Sequence, residues 1–223
     1  MTRVSGRWPG QLNRYPLHDM LYRNRIIEDT RPAPSAELVA ALEGLLGCRL
    51  PDDYRQFLEV CNGGYAAYEI NAPLGDGSSE PLSFCYLNSL TSPGTWRTLP
   101  FELTQARQEP EFPALKVVPI ASSDGGSRLF LDLRADCRVV AFIEGLPAWT
   151  GRHQQDELVT VAGSFNDYLD ALFISDDAIV DAITDFDRAT DDPERLVKWF
   201  DTGDQNWRTT YREIWERHVL NRG

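Results

Sequence analysis

Acidic side chains at a regular spacing are the residues of this chain with the clearest capacity for chemistry. Asp177, Asp181 and Asp185 recur at every fourth position, which places three carboxylates on one face of a helix. The same acidic set also includes Asp176, Asp191, Asp192 and Glu194. Three interpretations are open: a solvated helix face, a docking surface for a basic protein, or a Mg²⁺ site, which would need further carboxylates from a facing element.

The charge of the chain is concentrated in the stretch that holds these carboxylates. The 223 residues contain 34 acidic and 22 basic residues, for a formal net charge of −12. Residues 156–204 alone hold fourteen acidic and three basic residues, whereas residues 1–31 carry a net charge of +3. A chain this acidic repels phosphate backbones, so we expect a basic protein as its partner and no nucleic acid.

Glycines between two predicted strands form the other motif with a chemical interpretation. The run Ser123-Asp124-Gly125-Gly126-Ser127 could be taken for a phosphate cradle, but such a cradle opens a helix, and here a strand pattern follows. A tight turn is therefore the favoured interpretation. The sequence contains neither a nucleotide-binding glycine motif nor a nucleophile elbow.

Histidine and cysteine patterns predict no catalytic group, no metal centre and no cofactor. The three histidines stand in no metal-ligand spacing, and the four cysteines show no CxxC pair. Cys61 falls on an apolar stripe, where a small buried hydrophobe is the simplest interpretation, although a cysteine paired with a distant histidine stays open. Reduced cysteines, the lack of an apolar run of about 18–20 residues and the lack of a signal-peptide pattern predict a cytoplasmic protein without a membrane span.

Two short amphipathic helices are the first elements that would position these groups. Ser35 is a suitable N-cap for an apolar helical stripe over 38–46. Pro51 can open a second helix, because its missing N–H costs nothing at the first helical position. Asn62-Gly63-Gly64 tolerates positive φ and predicts where this second helix ends.

A period of two between residues 65 and 161 predicts strands. The candidate strands are 65–71, 82–87, 116–120, 128–133, 139–143 and 158–161. Short connections between the later strands imply antiparallel neighbours. A capping pattern at Ser164 and Asp167 then predicts a closing helix.

Both ends of the chain lie outside this pattern. Residues 1–34 are predicted to form a basic extension, with a short helix near 18–27, and residues 176–223 to form an acidic extension with three helices. The last of these helices carries Trp207, Tyr211 and Trp215 on one stripe. Such a stripe is typical of a buried face, and an exposed binding patch is the alternative.

Several motifs resemble the SUKH superfamily of Smi/Knr-like domains. The first is Leu50-Pro51-x-x-Tyr54-x-x-Phe57-Leu58 followed by Asn62-Gly63-Gly64. The run Val118-Pro119-Ile120-Ala121-x-x-Asp124-Gly125-Gly126-x-x-Leu129-Phe130-Leu131-Asp132-Leu133 is similar to the family's central hairpin. The run Ser164-Phe165-x-x-Tyr168-Leu169-x-x-Leu172 is similar to its closing helix. The resemblance covers residues 35–175 and finds no counterpart for 1–34 or 176–223.

The resemblance implies an α+β domain over residues 35–175 with N-terminal helices, a mostly antiparallel sheet and a closing helix. From the strand pattern we expect about six strands, and we expect the C-terminal helical extension, residues 176–223, to pack on the same domain. It also implies structural roles for the motif residues, which are Leu50, Pro51, Tyr54, Phe57, Asn62, Gly63, Gly64, Asp124, Gly125, Gly126 and Asp132.

In function, the resemblance implies a non-enzymatic protein-binding module. Bacterial members of the superfamily are mainly immunity proteins that bind and neutralise toxins, and the fungal branch resembles regulators of cell-wall glucan synthesis. We therefore expect an immunity protein whose acidic surface occludes the active site of a basic toxin domain. The alternatives are a regulatory scaffold related to the glucan-synthesis regulators and, third, a metal-dependent hydrolase that uses the aspartate cluster.

Overall fold

A six-stranded antiparallel sheet is the main element of the fold. The computed structural model describes residues 19–91, 116–134, 136–145, 149, 155–187 and 189–220. Helices precede and follow the sheet in sequence, and two further two-stranded hairpins stand beside it. The predicted α+β class, with N-terminal helices, about six antiparallel strands, a closing helix and C-terminal helices, is confirmed.

The first described residues form a β-hairpin, so the predicted short helix near this position is wrong. Strand β1 (Met20–Tyr22) pairs with β2 (Arg25–Ile27) through a turn in which Arg23 and Asn24 have φ of 46° and 57°. Two consecutive residues with positive φ match the twist of a hairpin and cannot belong to a right-handed helix. The start of the predicted helix, including His18, lies outside the described residues.

Two short helices follow the hairpin, as predicted. Helix α1 (Ala36–Leu46) is capped by Ser35, whose hydroxyl accepts a backbone amide of the first turn at 3.2 Å, and it ends at Gly47 with φ of 65°. Helix α2 (Asp52–Val60) begins directly after Pro51. Local capping signals therefore define both helices.

Eight strands lie between residues 64 and 162 in the described part of the chain. They are β3 (Gly64–Tyr65), β4 (Ile70–Pro73), β5 (Ser79–Leu82), β6 (Tyr86–Leu87), β7 (Val117–Ser122), β8 (Arg128–Asp132), β9 (Arg138–Ile143) and β10 (Glu157–Ala162). The main sheet has the order β10-β9-β8-β7-β6-β3, whereas β4 and β5 pair only with each other. The last four predicted strands agree with β7 to β10 within two residues at each end.

The first two predicted strands, 65–71 and 82–87, are each interrupted. After β3 the Ala66 amide donates to the carbonyl of Cys85 at 2.8 Å, and the Tyr68 amide donates back to the Ala66 carbonyl at 2.9 Å. These bonds satisfy the backbone where the chain leaves the main sheet for the β4–β5 hairpin. The alternating pattern is therefore shared between two sheets, and neither predicted strand is continuous.

Helix α3 (Phe165–Ala171) closes the middle part of the chain. The hydroxyl of Ser164 accepts a first-turn amide at 3.0 Å, which confirms the predicted cap. The ring of Phe165 lies 4.9 Å from that of Phe57 and 5.0 Å from that of Tyr54, both on α2. This buried aromatic contact joins α3 to α2.

The C-terminal helices share the hydrophobic core of the sheet. They are α4 (Asp176–Thr184), α5 (Pro193–Gly203), α6 (Trp207–Thr210), α7 (Arg212–Trp215) and a π-helical turn at Glu216–Leu220. Trp207 and Tyr211 are buried and Trp215 is half-buried, so the core role predicted for the aromatic stripe is confirmed. Within the described ranges, no helix has the length and apolar character needed to cross a membrane.

Candidate protein-binding surface

Helix α4 and its C-cap residue, Asp185, present three carboxylates to solvent. Asp177, Asp181 and Asp185 are all exposed, and we call them the acidic face. The opposite side of the helix buries Ile179 and Ile183 in the core. None of the three side chains has an ion-pair or hydrogen-bond partner among the described residues. Each pair of like charges at this spacing destabilises a helix by about 0.2–0.5 kcal/mol. The acidic face therefore carries a repulsion that no cation of the described residues offsets.

Three other residues of the predicted acidic set have local structural roles. The Asp192 carboxylate caps α5 by accepting the Glu194 amide at 2.9 Å. Asp191 accepts the amide of Asp187 at 2.8 Å in the connecting turn. Asp176 accepts a hydrogen bond from the Tyr211 hydroxyl, and burial together with this carboxylate raises the pKa of that phenol. The predicted set is thus not one uniform surface.

The N-terminal end of α4 is fixed to the chain segment before β4. Ser175 caps the helix, and its hydroxyl also donates to Oε1 of Glu69 at 2.9 Å. Glu69 and Phe173 exchange both backbone hydrogen bonds, at 2.8 and 2.9 Å. Burial raises the pKa of Glu69, the Ser175 hydrogen bond opposes this, and the nearby charge of Asp177 raises it further. The acidic face is therefore presented from an anchored helix.

Arg25 anchors the elements on both sides of α4. This buried arginine uses all five of its guanidinium N–H groups to donate to backbone carbonyls. The acceptors and distances are Leu169 at 3.0 Å, Asp170 at 3.1 Å, Leu172 at 2.7 Å, Thr202 at 2.6 Å and Asn24 at 2.8 Å. Burial lowers the pKa of Arg25, and the negative end of the α3 dipole favours its charge.

Helix α5 is tied to the middle of the chain by polar contacts at buried positions. The indole N–H of Trp199 donates to the Ala67 carbonyl at 2.9 Å. The Tyr68 hydroxyl lies 2.6 Å from the Thr202 hydroxyl and accepts the Ile26 amide at 2.9 Å. The hairpin, the chain before β4 and α5 therefore form one bonded unit.

Sequence reasoning did not identify Arg25 as important. Its acceptors lie up to 177 residues away, so no local pattern indicates them. The signal that the sequence offered was an arginine next to two isoleucines in Arg25-Ile26-Ile27. In strand β2 both Arg25 and Ile27 are buried.

The Asn62-Gly63-Gly64 motif is a structural turn. Asn62 is buried with φ of 44°, and its side-chain amide joins three chain segments by donating to the Pro32 and Leu90 carbonyls and accepting the Leu90 amide. Gly64 has φ of 134°, and a Cβ there would overlap the Glu28 carbonyl oxygen. The glycines are required by this close approach.

The residues before Asn62 in this motif, and the glycine turn of the central hairpin, are also structural. Leu50, Tyr54 and Phe57 are buried and Pro51 precedes α2, so these four residues build the helix pair. Residues 123–127, with Asp124, Gly125 and Gly126 at the centre, join β7 to β8 as a tight turn, in which the Ser123 amide donates to Ser127 at 3.2 Å.

Asp132 is a buried carboxylate that organises the next turn. Its Oδ1 accepts the Arg134 guanidinium at 2.8 Å and the Arg134 amide at 3.0 Å, and Arg138 lies 3.7 Å from Oδ2. The hydrogen bond from Arg134 is the main cause that lowers the pKa of Asp132.

The buried cysteines do not form reactive sites. Burial raises the pKa of Cys61 to about 11 and that of Cys85 to about 12, so both thiols are protonated at neutral pH. In the described part of the chain, no group of three His, Cys, Asp or Glu side chains could hold a metal ion.

Comparison with known families identifies the domain that contains these motifs. The model of the SMI1/KNR4 family (SUKH-1) matches residues 33–171. The chain belongs to the SMI1/KNR4 family. This SUKH domain begins before α1 and ends with α3, so the acidic face lies beyond it. No curated protein shows a significant match to the chain. SUKH domains are generally non-catalytic protein-binding modules of immunity or regulatory type.

Proposed function

We propose that this SUKH protein is a cytoplasmic, non-enzymatic immunity protein. It binds a basic toxin domain through the acidic face and occludes the active site of that toxin. The observation that carries this proposal is the set of three exposed carboxylates at Asp177, Asp181 and Asp185, none of which is paired with a cation in the described part of the chain. A basic cleft that recognises an anionic substrate would be complementary to this surface.

The rigidity of α4 supports docking over a merely solvated face. The helix is attached through Ser175 and Glu69 at its start and by its apolar side to the core. A surface that is already ordered loses little conformational entropy on binding, and complementary charge accelerates encounter. The acidic face also lies outside residues 33–171, where a specificity-determining surface can vary without altering the common domain.

The test is calorimetric titration against a purified toxin domain. The probe is the C-terminal domain encoded by the reading frame immediately upstream of the gene. We expect tight binding that weakens with added salt, and Asp177→Lys, Asp181→Lys and Asp185→Lys together should weaken it by roughly 100-fold or more.

A control with the same change of charge separates docking from net charge. The triple variant Asp52→Lys, Glu59→Lys and Asp136→Lys adds the same charge on α2 and the β8–β9 turn, and it should change affinity far less. If the acidic-face variant keeps both the affinity and the salt dependence of the wild type, docking through α4 is wrong. If that toxin domain does not bind and several other proteins bind substoichiometrically, the immunity role is wrong and a regulatory scaffold is favoured.

A further inference from the structure

An ion pair between a buried glutamate and a half-buried arginine connects the N-terminal segment to the C-terminal helices. Glu28 follows β2 and is only 3% exposed, and its Oε1 lies 2.6 Å from Nη2 of Arg195 on α5. Two backbone hydrogen bonds with Tyr65, at 2.8 and 2.7 Å, fix the main chain of Glu28 beside β3. These bonds hold the main chain of Glu28 in place, and its side chain is buried at this position.

Arg195 pairs with only one of the two carboxylate oxygens of Glu28. Oε2 of Glu28 is buried without a hydrogen-bond partner in the described part of the chain, and so is Nε of Arg195. Asp19 lies 3.4 Å from the same Nη2 of Arg195, so two carboxylates share one guanidinium. A buried carboxylate with this incomplete pairing is costly in its charged form.

The surroundings of Glu28 add to this cost. The charged and titratable groups that face its carboxyl are Arg195, Asp19, Asp29, Tyr65 and Tyr68. Burial is the main cause that raises the pKa of Glu28 to about 7, the Arg195 cation opposes the rise, and Asp19 and Asp29 add to it. The geometry and the charges thus favour the protonated form at the same site.

We propose that the Glu28–Arg195 contact is a proton-sensitive clasp between the N-terminal segment and α5. Because the folded state holds the Glu28 proton more tightly than the unfolded chain, the folded state binds more protons between about pH 4.5 and pH 7. The stabilisation is therefore fully present below this window and is lost as the pH rises through it. Acidification therefore stabilises the folded state, because the protonated Glu28 no longer carries an incompletely paired charge at a buried position.

The first test compares the wild type with Glu28→Gln, a neutral side chain of the same shape, in urea unfolding at about pH 5 and pH 8. At each pH the unfolding constant of the wild type is divided by that of Glu28→Gln. This ratio should rise by at least about tenfold from about pH 5 to pH 8, because the wild type loses more stability as the pH rises. Any constant cost of the glutamine amide cancels in this comparison. The control Glu194→Gln, exposed and adjacent to Arg195, should leave the ratio unchanged. A constant ratio for Glu28→Gln would overturn the proposal.

The second test measures the titration of Glu28 directly, first in the wild type, where no variant is needed. Carbon-13 NMR of the carboxyl should show a midpoint near 7 in the wild type. In Arg195→Gln the midpoint should rise, because the cation that favours the charged form is absent. A wild-type midpoint near the ordinary 4.5, or an unchanged midpoint in Arg195→Gln, would show that the clasp does not operate.

Discussion

Replacing Arg25 with methionine tests how the N-terminal hairpin holds α3 and α5 together. Methionine keeps an unbranched apolar stem but donates no hydrogen bond. The substitution therefore removes five hydrogen bonds to carbonyls at once while filling most of the same space. The acceptors belong to three different parts of the chain, so the loss affects their mutual attachment.

The magnitude follows from how deeply each acceptor is buried. The bonds to Leu169 and Leu172 are buried, and an acceptor left without a donor in such a place costs about 1–3 kcal/mol. The other three acceptors are part-buried and can bind water instead. Removing a desolvated cation offsets part of the loss. We expect Arg25→Met to reduce the free energy of unfolding by about 3 kcal/mol, a large share of the roughly 5–15 kcal/mol typical of a domain.

The assay is urea unfolding followed by circular dichroism, with Arg23→Met as the matched control. Arg23 lies in the same hairpin and pairs with the Asp170 side chain at the surface, so its loss should cost no more than about 1 kcal/mol. Arg25→Lys should fall between the wild type and Arg25→Met, because an ammonium has three donors and no planar fork. The reasoning is refuted if Arg25→Met and Arg23→Met are equally stable.

Two further substitutions test the turns. Gly64→Ala should destabilise the fold by at least about 2 kcal/mol in urea unfolding, because φ is positive and the new Cβ would overlap Glu28. Gly44→Ala, in α1 with nothing within 4 Å, should instead stabilise it by about 0.5–1 kcal/mol, and a similar loss at both positions would contradict the explanation. Asp132→Asn should be less stable than the wild type above about pH 4. This difference should shrink as the pH falls below that value, because the folded state lowers the pKa of Asp132. Unfolding curves at about pH 6 and pH 3 measure this, and a difference that does not change with pH would be inconsistent with the Arg134 pairing.

Local signals account for the elements that the sequence predicted well. Ser35 and Ser164 accept first-turn amides, as their positions before apolar stripes indicate. Strands β7 to β10 are short, apolar and separated by turns, so their period of two is visible in each segment. These features depend on neighbours within a few residues, which is why one sequence is sufficient to find them.

Contacts between distant segments account for what the sequence did not show. The residues of β1 and β2 have an apolar spacing that also suits a helix, and only burial against the core selects the hairpin. The spacing of Asp177, Asp181 and Asp185 indicated one helix face, and the structure has the first two on α4 and Asp185 at its C-cap. It could not separate them from Asp176, whose partner Tyr211 is 35 residues away.

The reach of Arg25 also has a consequence for the order in which the chain is completed during synthesis. Its most distant acceptor, Thr202, lies 177 residues further along the chain. A ribosome adding about 5–20 residues per second needs roughly 9–35 s to cover that distance. Until this interval ends the hairpin lacks the α5 carbonyl it binds in the native state, and the α3 carbonyls are added only 144 to 147 residues after Arg25. The earliest described segment to be synthesised is therefore among the last to make its native contacts.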